Sequence, residues 1–494
     1  MVAFTDFSAA QLLVTSLAAW LAYTFYRTTY NLLFHPLARF PGPKLRGAFD
    51  LPEQIEIWKG DLVYNHHALH EKYGDVVRIS PNALSVISPE AWKDVYGYAN
   101  KAPMMKCPEF YYREEHDAAD IIAANDRDHA RIRRLLNYAF SEQALRSQES
   151  IINSYITLLI SKLKRRASQS SSVDIVKYLN FTTFDITGDL SFDESFGALD
   201  SEEHNEWVAT LFKMLRVGAI IRVLTAYGLP TPFLLKYFPP LARAQATHGN
   251  YTKAKTARRL ATKTDRKDFL SYILRYNDER GMTHEEIKNT SSILIIAGSE
   301  TSATLLSGAI YYLLKNPIWM HKLQEELSTT FTTDAQITFS SVSQLDILNA
   351  IIQETFRVYP PAAAIFPRIS PKGGAMVAGT FIPPGVKIGI PQYCANRSSR
   401  HFRNPEKYAP ERFLGDPEYA DDKRSVIQPF SVGPRNCIGQ SLAYAEIRTI
   451  LARLMWHFDF EMSDEIHDWE KQRIFVLWDK PSLMVKLKAR QPAT

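Results

Sequence analysis

The sequence predicts a mainly α-helical protein with small β-sheets, preceded by one N-terminal transmembrane helix. Three observations lead there. Residues 7–26 carry no charge and are dominated by Leu12, Leu13, Val14, Leu17, Trp20, Leu21, Tyr23, Phe25 and Tyr26. Helical apolar periodicity covers most of residues 130–360 and 439–457. Strand-like runs are confined to residues 76–79, 84–87, 386–390 and 483–487.

Composition narrows the classes. With 494 residues, 46% hydrophobic and 22% charged, the chain is neither fibrous nor largely disordered. A net charge of +5, from 58 basic and 53 acidic residues with no dense basic tract, argues against nucleic acid as a partner. Three cysteines cannot build a disulfide framework, so a reducing compartment is expected for most of the chain.

The elements follow in chain order. Twenty uncharged residues in a helix reach about 30 Å, the thickness of a bilayer's hydrocarbon core. A cleaved leader calls for a basic start, and the only early charge is Asp6. Arg27, Arg39, Lys44 and Arg46 follow the run, which places the body on the cytosolic side of the membrane. The organisation read from this is an anchor over 1–29, a proline-rich connector over 30–49 and one globular body over 50–494. Pro36, Pro41 and Pro43 make the connector extended and stiff.

In the body, Thr283-His284-Glu285-Glu286 has the form of a capping box. The apolar pattern behind it runs to Asn316-Pro317, about 33 residues or ~50 Å, and covers nearly every face. Such a helix crosses a core. It contains Ala297-Gly298-Ser299-Glu300-Thr301, and a buried acid beside a helix-interior glycine marks a kink or a site.

The most informative stretch is Phe430-Ser431-Val432-Gly433-Pro434-Arg435-Asn436-Cys437-Ile438-Gly439-Gln440, of the form F-x-x-G-x-R-x-C-x-G. A chance match to its five fixed positions is on the order of one in ten thousand. A helix is expected from Ser441 to about His457, so the thiol precedes a helix N-terminus that favours the thiolate. Gly433 and Gly439 allow a tight turn and the approach of a flat ligand, Arg435 can meet a carboxylate on it, and Phe430 can shield the sulfur. These are the requirements of an iron held by cysteine sulfur, as in thiolate-ligated haem. Cys107 and Cys394 lack such a frame and read as inert buried thiols.

With this loop the sequence resembles the cytochrome P450 superfamily of haem-thiolate monooxygenases, and the resemblance covers roughly residues 30–490. Glu354-Thr355-Phe356-Arg357 is similar to the family's E-x-x-R motif, and Pro410-Glu411-Arg412-Phe413 to the downstream motif whose arginine joins that pair. The resemblance implies the P450 fold, heme b with Cys437 as axial ligand, and a structural Glu354–Arg357–Arg412 cluster. It makes Glu300 and Thr301 the catalytic acid–alcohol pair relaying protons to dioxygen, with Ala297 and Gly298 against the haem. Arg133, Arg368 and Arg435 would neutralise the haem's two carboxylates. His129 stands where the family usually has the tryptophan of W-x-x-x-R, and it too can donate to a carboxylate.

Segments implied to contact substrate lie near 110–122, 212–227, 293–297, 362–366 and 474–476. Ala362, Ala363, Ala364, Ile365, Phe366, Ile220, Ile221 and Leu224 suit a lipophilic molecule, with Tyr111, Tyr112, Arg113 and His116 as possible polar contacts. The connector and cysteine loop look similar to microsomal enzymes of filamentous fungi that tailor terpenoids, polyketides and alkaloids. The resemblance thus implies insertion of one oxygen atom from O2 into such a molecule, an NADPH–cytochrome reductase as electron donor, and an endoplasmic reticulum membrane location with lipid contact. Two other classes stay open at this point: a haem-thiolate isomerase or dehydratase that needs no O2, and a non-enzymatic membrane haem sensor.

Overall fold

The long helix opened by Thr283 organises the structure. In the computed structural model it runs His284–Lys315: Thr283 Oγ1 accepts the Glu286 N–H and the Glu286 carboxylate accepts the Thr283 N–H. Asn316 ends it, and Pro317 begins the next helix, Pro317–Thr330, where a missing N–H costs nothing. The structure describes residues 9–100, 102–111, 118–203, 217–229, 233, 237, 239–262, 266–278, 281–463 and 469–490.

The central helix lies against the helix Ile175–Phe192, where Ser299 Oγ donates to the Thr183 carbonyl at 3.2 Å. A Cβ on Gly298 would sit 3.2 Å from Thr187 Cγ2. The space a side chain would need at Gly298 is thus taken by Thr187 of the neighbouring helix. The helix Gln440–His457 packs on the central helix as well, its Glu446 meeting Ser302.

Sheets frame this helical body. The largest has five strands in the order Val76–Ser80, Ala83–Val86, Lys387–Gly389, Arg368–Ile369, Met105–Lys106. The pair Ala83–Val86 and Lys387–Gly389 is parallel, the other neighbours antiparallel, and the register sets Lys106 opposite Arg368. A second sheet joins Val173–Asp174, Met484–Ala489 and Phe458–Met462, and a separate hairpin spans Arg473–Phe475 and Leu477–Asp479.

The connector differs from its expected form. Ala38 N–H bonds the His35 carbonyl and Phe40 N–H the Leu37 carbonyl, so turns interrupt it. Leu37 is fully buried, and the Arg78 N–H bonds the Pro41 carbonyl at 2.7 Å. A Cβ on Gly42 would overlap the Arg78 carbonyl oxygen. The prolines fix local angles, but tertiary contacts seat the segment on the first strand rather than leaving it a spacer.

Ahead of it the helix Ala9–Thr29 exposes Leu13, Val14, Trp20, Phe25 and Tyr26. Among the described residues one helix is long and apolar enough to cross a membrane by length and composition. It is the central helix, and the most apolar part of that helix lies mostly inside the protein.

Candidate active site

The loop before Gln440 takes its shape from two left-handed residues, Ser431 (φ +57°) and Gly433 (φ +79°). At Gly433 no side chain is possible, since a Cβ would overlap the Tyr96 carbonyl oxygen. The Cys437 N–H closes the loop on the Phe430 carbonyl at 2.8 Å. Phe430 is itself held by Phe356, 5.4 Å between ring centroids, and Tyr444, 5.1 Å. The loop is therefore wedged between the E-x-x-R helix Asp346–Val358 and the helix that follows the cysteine.

Cys437 is exposed, unlike buried Cys107 and Cys394. Protein nevertheless surrounds it closely: burial pushes its thiol pKa up, against the Gly439 N–H and the Arg133 charge, which pull it down. The sequence expectation of a dipole-lowered thiol is corrected in direction. A metal ion reverses this logic, because a coordinating thiol is deprotonated outright. An accessible sulfur inside a protein wall suits a ligand that arrives from within.

The central helix carries a matching feature. Most of its residues near the middle are buried, yet Ala297 is exposed and Ile293 and Thr301 are half-buried. Four-residue spacing puts these three on one face. Thr301 Oγ1 donates to the Ala297 carbonyl at 2.6 Å. Glu300, one position back, points about 100° away. It is buried, paired with Lys480, and accepts from Thr304 Oγ1 at 3.3 Å, while Oε2 has no partner. Burial raises its pKa and Lys480 opposes the rise. The expected acid–alcohol pair is thus divided between two faces of the helix, and Thr301 alone of the two meets open space.

The cationic residues form a cluster. Arg435 pairs with Asp126 at 2.7 Å and donates to the Ala124 carbonyl at 2.8 Å, leaving Nη1 buried and unpartnered. Arg368 is buried, lies over the Tyr96 ring at 5.5 Å, and has an unpartnered Nε. Lys106, missed in the sequence, joins them through the strand register. Burial, Arg435 and Arg368 together push its pKa down to about 6. Burial first, then Arg435, Lys106 and Arg133, lower His129 to about 4, which leaves a neutral ring with one N–H donor. Arg133 instead reaches the cysteine loop, donating to the Asn436 carbonyl at 2.5 Å and to its side-chain oxygen at 2.7 Å. Two buried guanidinium groups with orphaned N–H groups, beside Lys106 and a neutral histidine donor, fit a group that brings two carboxylates.

Behind the site lies the second structural cluster. Glu354 and Arg357 are fully buried, 2.7 Å apart, and Arg412 Nε stands 3.5 Å from Glu354. Glu446, also missed in the sequence, accepts from Ser302 Oγ at 3.2 Å and keeps Oε1 unpartnered. Burial pushes its pKa from 4.5 up to about 8. A raised carboxyl pKa means the folded state holds its proton more tightly than the unfolded chain. Stability from this group is complete below pH 4.5 and is lost as pH rises through 8. The loss runs at about 1.4 kcal/mol per pH unit. Glu446→Gln is expected to match the parent at pH 5 and exceed it by about 3 kcal/mol at pH 7 in denaturant unfolding.

Tyr112, Arg113, His116 and residues 212–216 lie outside the described residues. Among the other expected substrate contacts, Phe366 meets Phe110 edge-on at 5.8 Å. The hairpin 473–479 places Val476 at its tip with φ +83°.

Comparison with known proteins gives this arrangement its context. The cytochrome P450 family model matches residues 50–487. The chain is 43% identical over 477 residues to the cytochrome P450 monooxygenase astJ of Aspergillus oryzae, covering 95% of each chain. It is 44% identical over 464 residues to the cytochrome P450 monooxygenase astA of Talaromyces wortmannii, covering 93% of this chain and 94% of that one. It is 40% identical over 485 residues to the averantin hydroxylase of Dothistroma septosporum, with 97% and 91% coverage. Likeness along the whole body, rather than at the cysteine loop alone, shows the family: this chain belongs to the cytochrome P450 family, whose heme b is held by a cysteine thiolate, here that of Cys437.

Proposed function

We propose that this monooxygenase oxidises a lipophilic intermediate of fungal secondary metabolism, a terpenoid, polyketide or alkaloid, by inserting one oxygen atom from O2. The observation that carries the reading is the accessible Cys437 sulfur, set in the frame from Phe430 to Gly439 of a chain alike over its length to fungal monooxygenases. A relative named averantin hydroxylase supports a secondary-metabolite substrate.

When bound, the haem supplies the activation of dioxygen. The remaining work belongs to side chains. Arg435, Arg368, Lys106 and His129 are placed to take the carboxylates, and Arg133 fixes Asn436 and with it the cysteine. Thr301 presents its hydroxyl on the open face of the helix, where turning it away from the Ala297 carbonyl frees its proton. Glu300, paired with Lys480 at the back of the same helix turn, is the carboxyl group from which Thr301 would be resupplied with a proton.

A P450 monooxygenase draws electrons from a reductase partner. We take the donor to be an NADPH–cytochrome reductase and the location to be the endoplasmic reticulum membrane. Two surfaces support contact with lipid: the helix Ala9–Thr29 with its exposed Leu13, Trp20 and Phe25, and the helix Leu51–Lys59, which exposes Leu51, Ile55 and Trp58 along one face.

Reconstitution with reductase, NADPH and candidate metabolites tests the reading through one variant. In Thr301→Ala, product formation is expected to fall on the order of 10²-fold while NADPH consumption continues. Unchanged product per NADPH removes Thr301 from the proton path.

A further inference from the structure

The helix Val217–Ala226 seats Ala219 against Ile57 and Phe475, with Val223 beside them. Three residues beyond Ala219, Arg222 extends its guanidinium to 5.3 Å from the centroid of the Phe110 ring. Phe110 touches both Phe366, at 5.8 Å, and Tyr111, at 4.9 Å. Tyr111 in turn faces Arg368, 5.9 Å from its ring. Arg222 therefore stands on an aromatic wall that leads toward the arginines of the haem site.

Its guanidinium is left unsatisfied. Among the described residues its N–H groups have no hydrogen-bond acceptor, and no carboxylate lies within the 4.0 Å of an ion pair. The acid that acts on it most strongly is Glu53, which likewise makes no ion pair. Burial lowers the Arg222 pKa, with Glu53 opposing. Burial pushes Glu53 up to about 7, with Arg222 opposing, so Glu53 supplies only part of a negative charge at neutral pH. The side chain is half-buried, so its free N–H groups stay within reach of a ligand. Five donors in a rigid planar fork, half-buried beside an aromatic ring and unpaired among the described residues, suit a planar oxyanion.

We propose that Arg222 anchors an acidic oxygen group of the substrate, a carboxylate or acidic phenol on an otherwise lipophilic ring system that lies against Phe110 and Phe366. The proposal rests on the monooxygenase reading above and names its substrate class. The bidentate bond to Arg222 orients the molecule, and the aromatic wall carries its apolar part. Glu53 tunes the site by competing for the same cation.

The test uses purified full-length holoenzyme and two probes, 2-naphthoate and its methyl ester, with binding followed by calorimetry and by the shift of the haem absorption band. The ester is the more lipophilic molecule, so any preference for the acid works against simple partitioning. The parent enzyme is expected to bind the acid about tenfold more tightly than the ester. Arg222→Gln is expected to abolish that preference by weakening the acid alone, Arg222→Lys to restore part of it, and Glu53→Gln to tighten the acid without moving the ester. Equal binding of acid and ester by the parent, or an acid preference that survives in Arg222→Gln, overturns the proposal. Should Arg222→Gln fail to fold, the acid-to-ester ratio of the parent decides alone. A thiolate-type carbonyl band in the same preparation shows that the monooxygenase reading stands even where this inference falls.

Discussion

Replacing Cys437 by serine is expected to abolish the band near 450 nm that thiolate ligation gives the reduced carbonyl complex, and all turnover with it. The sulfur is the accessible one of the three thiols, and its surroundings prepare it for a metal rather than for free ionisation. Burial holds the proton on, while the Gly439 N–H and the Arg133 guanidinium stabilise the thiolate once a metal has taken it. A serine hydroxyl is a far weaker acid and a harder ligand, so it supplies neither the charge nor the electron donation. The fold is expected to survive. The bond closing the loop runs from the backbone N–H of residue 437 to Phe430, and Arg133 grips Asn436, so neither depends on sulfur. The far-ultraviolet circular dichroism of Cys437→Ser should match the parent. Serine at Cys394, whose thiol only meets the Val63 carbonyl at 3.4 Å, should leave the band in place. Persistence of the band in Cys437→Ser would overturn the ligand assignment.

What the sequence made legible was local. The capping box at Thr283, the helix after the cysteine and the four strand runs each depend on residues within a few positions of one another, and each lies where expected. Glu354 and Arg357, three apart on one helix, belong to the same class. The features not legible join distant parts of the chain. Gly298 is small because Thr187 approaches from another helix. Glu300 finds its partner in Lys480, 180 residues downstream. Lys106 reaches the cationic cluster only through strand pairing with Arg368. Arg133 has the right charge for a carboxylate, but the nearest acceptors are those of Asn436, 303 residues away. Residue type announced the chemistry at each position, and tertiary contact chose the partner.

The second large effect lies at Arg357, where no ligand is involved. Its side chain is fully enclosed and makes five polar contacts: two to Glu354, at 2.8 and 2.7 Å, and one each to the carbonyls of Asn396, Pro405 and Lys407. Glu354 also accepts the Ala409 N–H at 2.7 Å, and Arg412 Nε lies 3.5 Å from it. Arg412 is itself shared with Asp422 and the Asn404 carbonyl. The cluster thus pins residues 396–422 to the E-x-x-R helix, whose Phe356 supports Phe430 of the cysteine loop. In Arg357→Ala, fully buried Glu354 loses its bidentate partner and the carbonyls of Asn396, Pro405 and Lys407 lose their donor. Breaking a buried pair in this way costs about 3–5 kcal/mol. That is a large share of the roughly 5–15 kcal/mol holding a native protein together. Arg357→Ala is therefore expected to accumulate little soluble protein and to fail to retain haem. Arg357→Lys keeps the charge but not the fork, so it should recover some protein with weakened haem retention. Double replacement of Glu354 and Arg357 by uncharged residues removes the stranded acid and should be less damaging than Arg357→Ala alone, as read by denaturant unfolding. If Arg357→Ala instead unfolds at the parent's denaturant midpoint, the cluster does not support the cysteine loop.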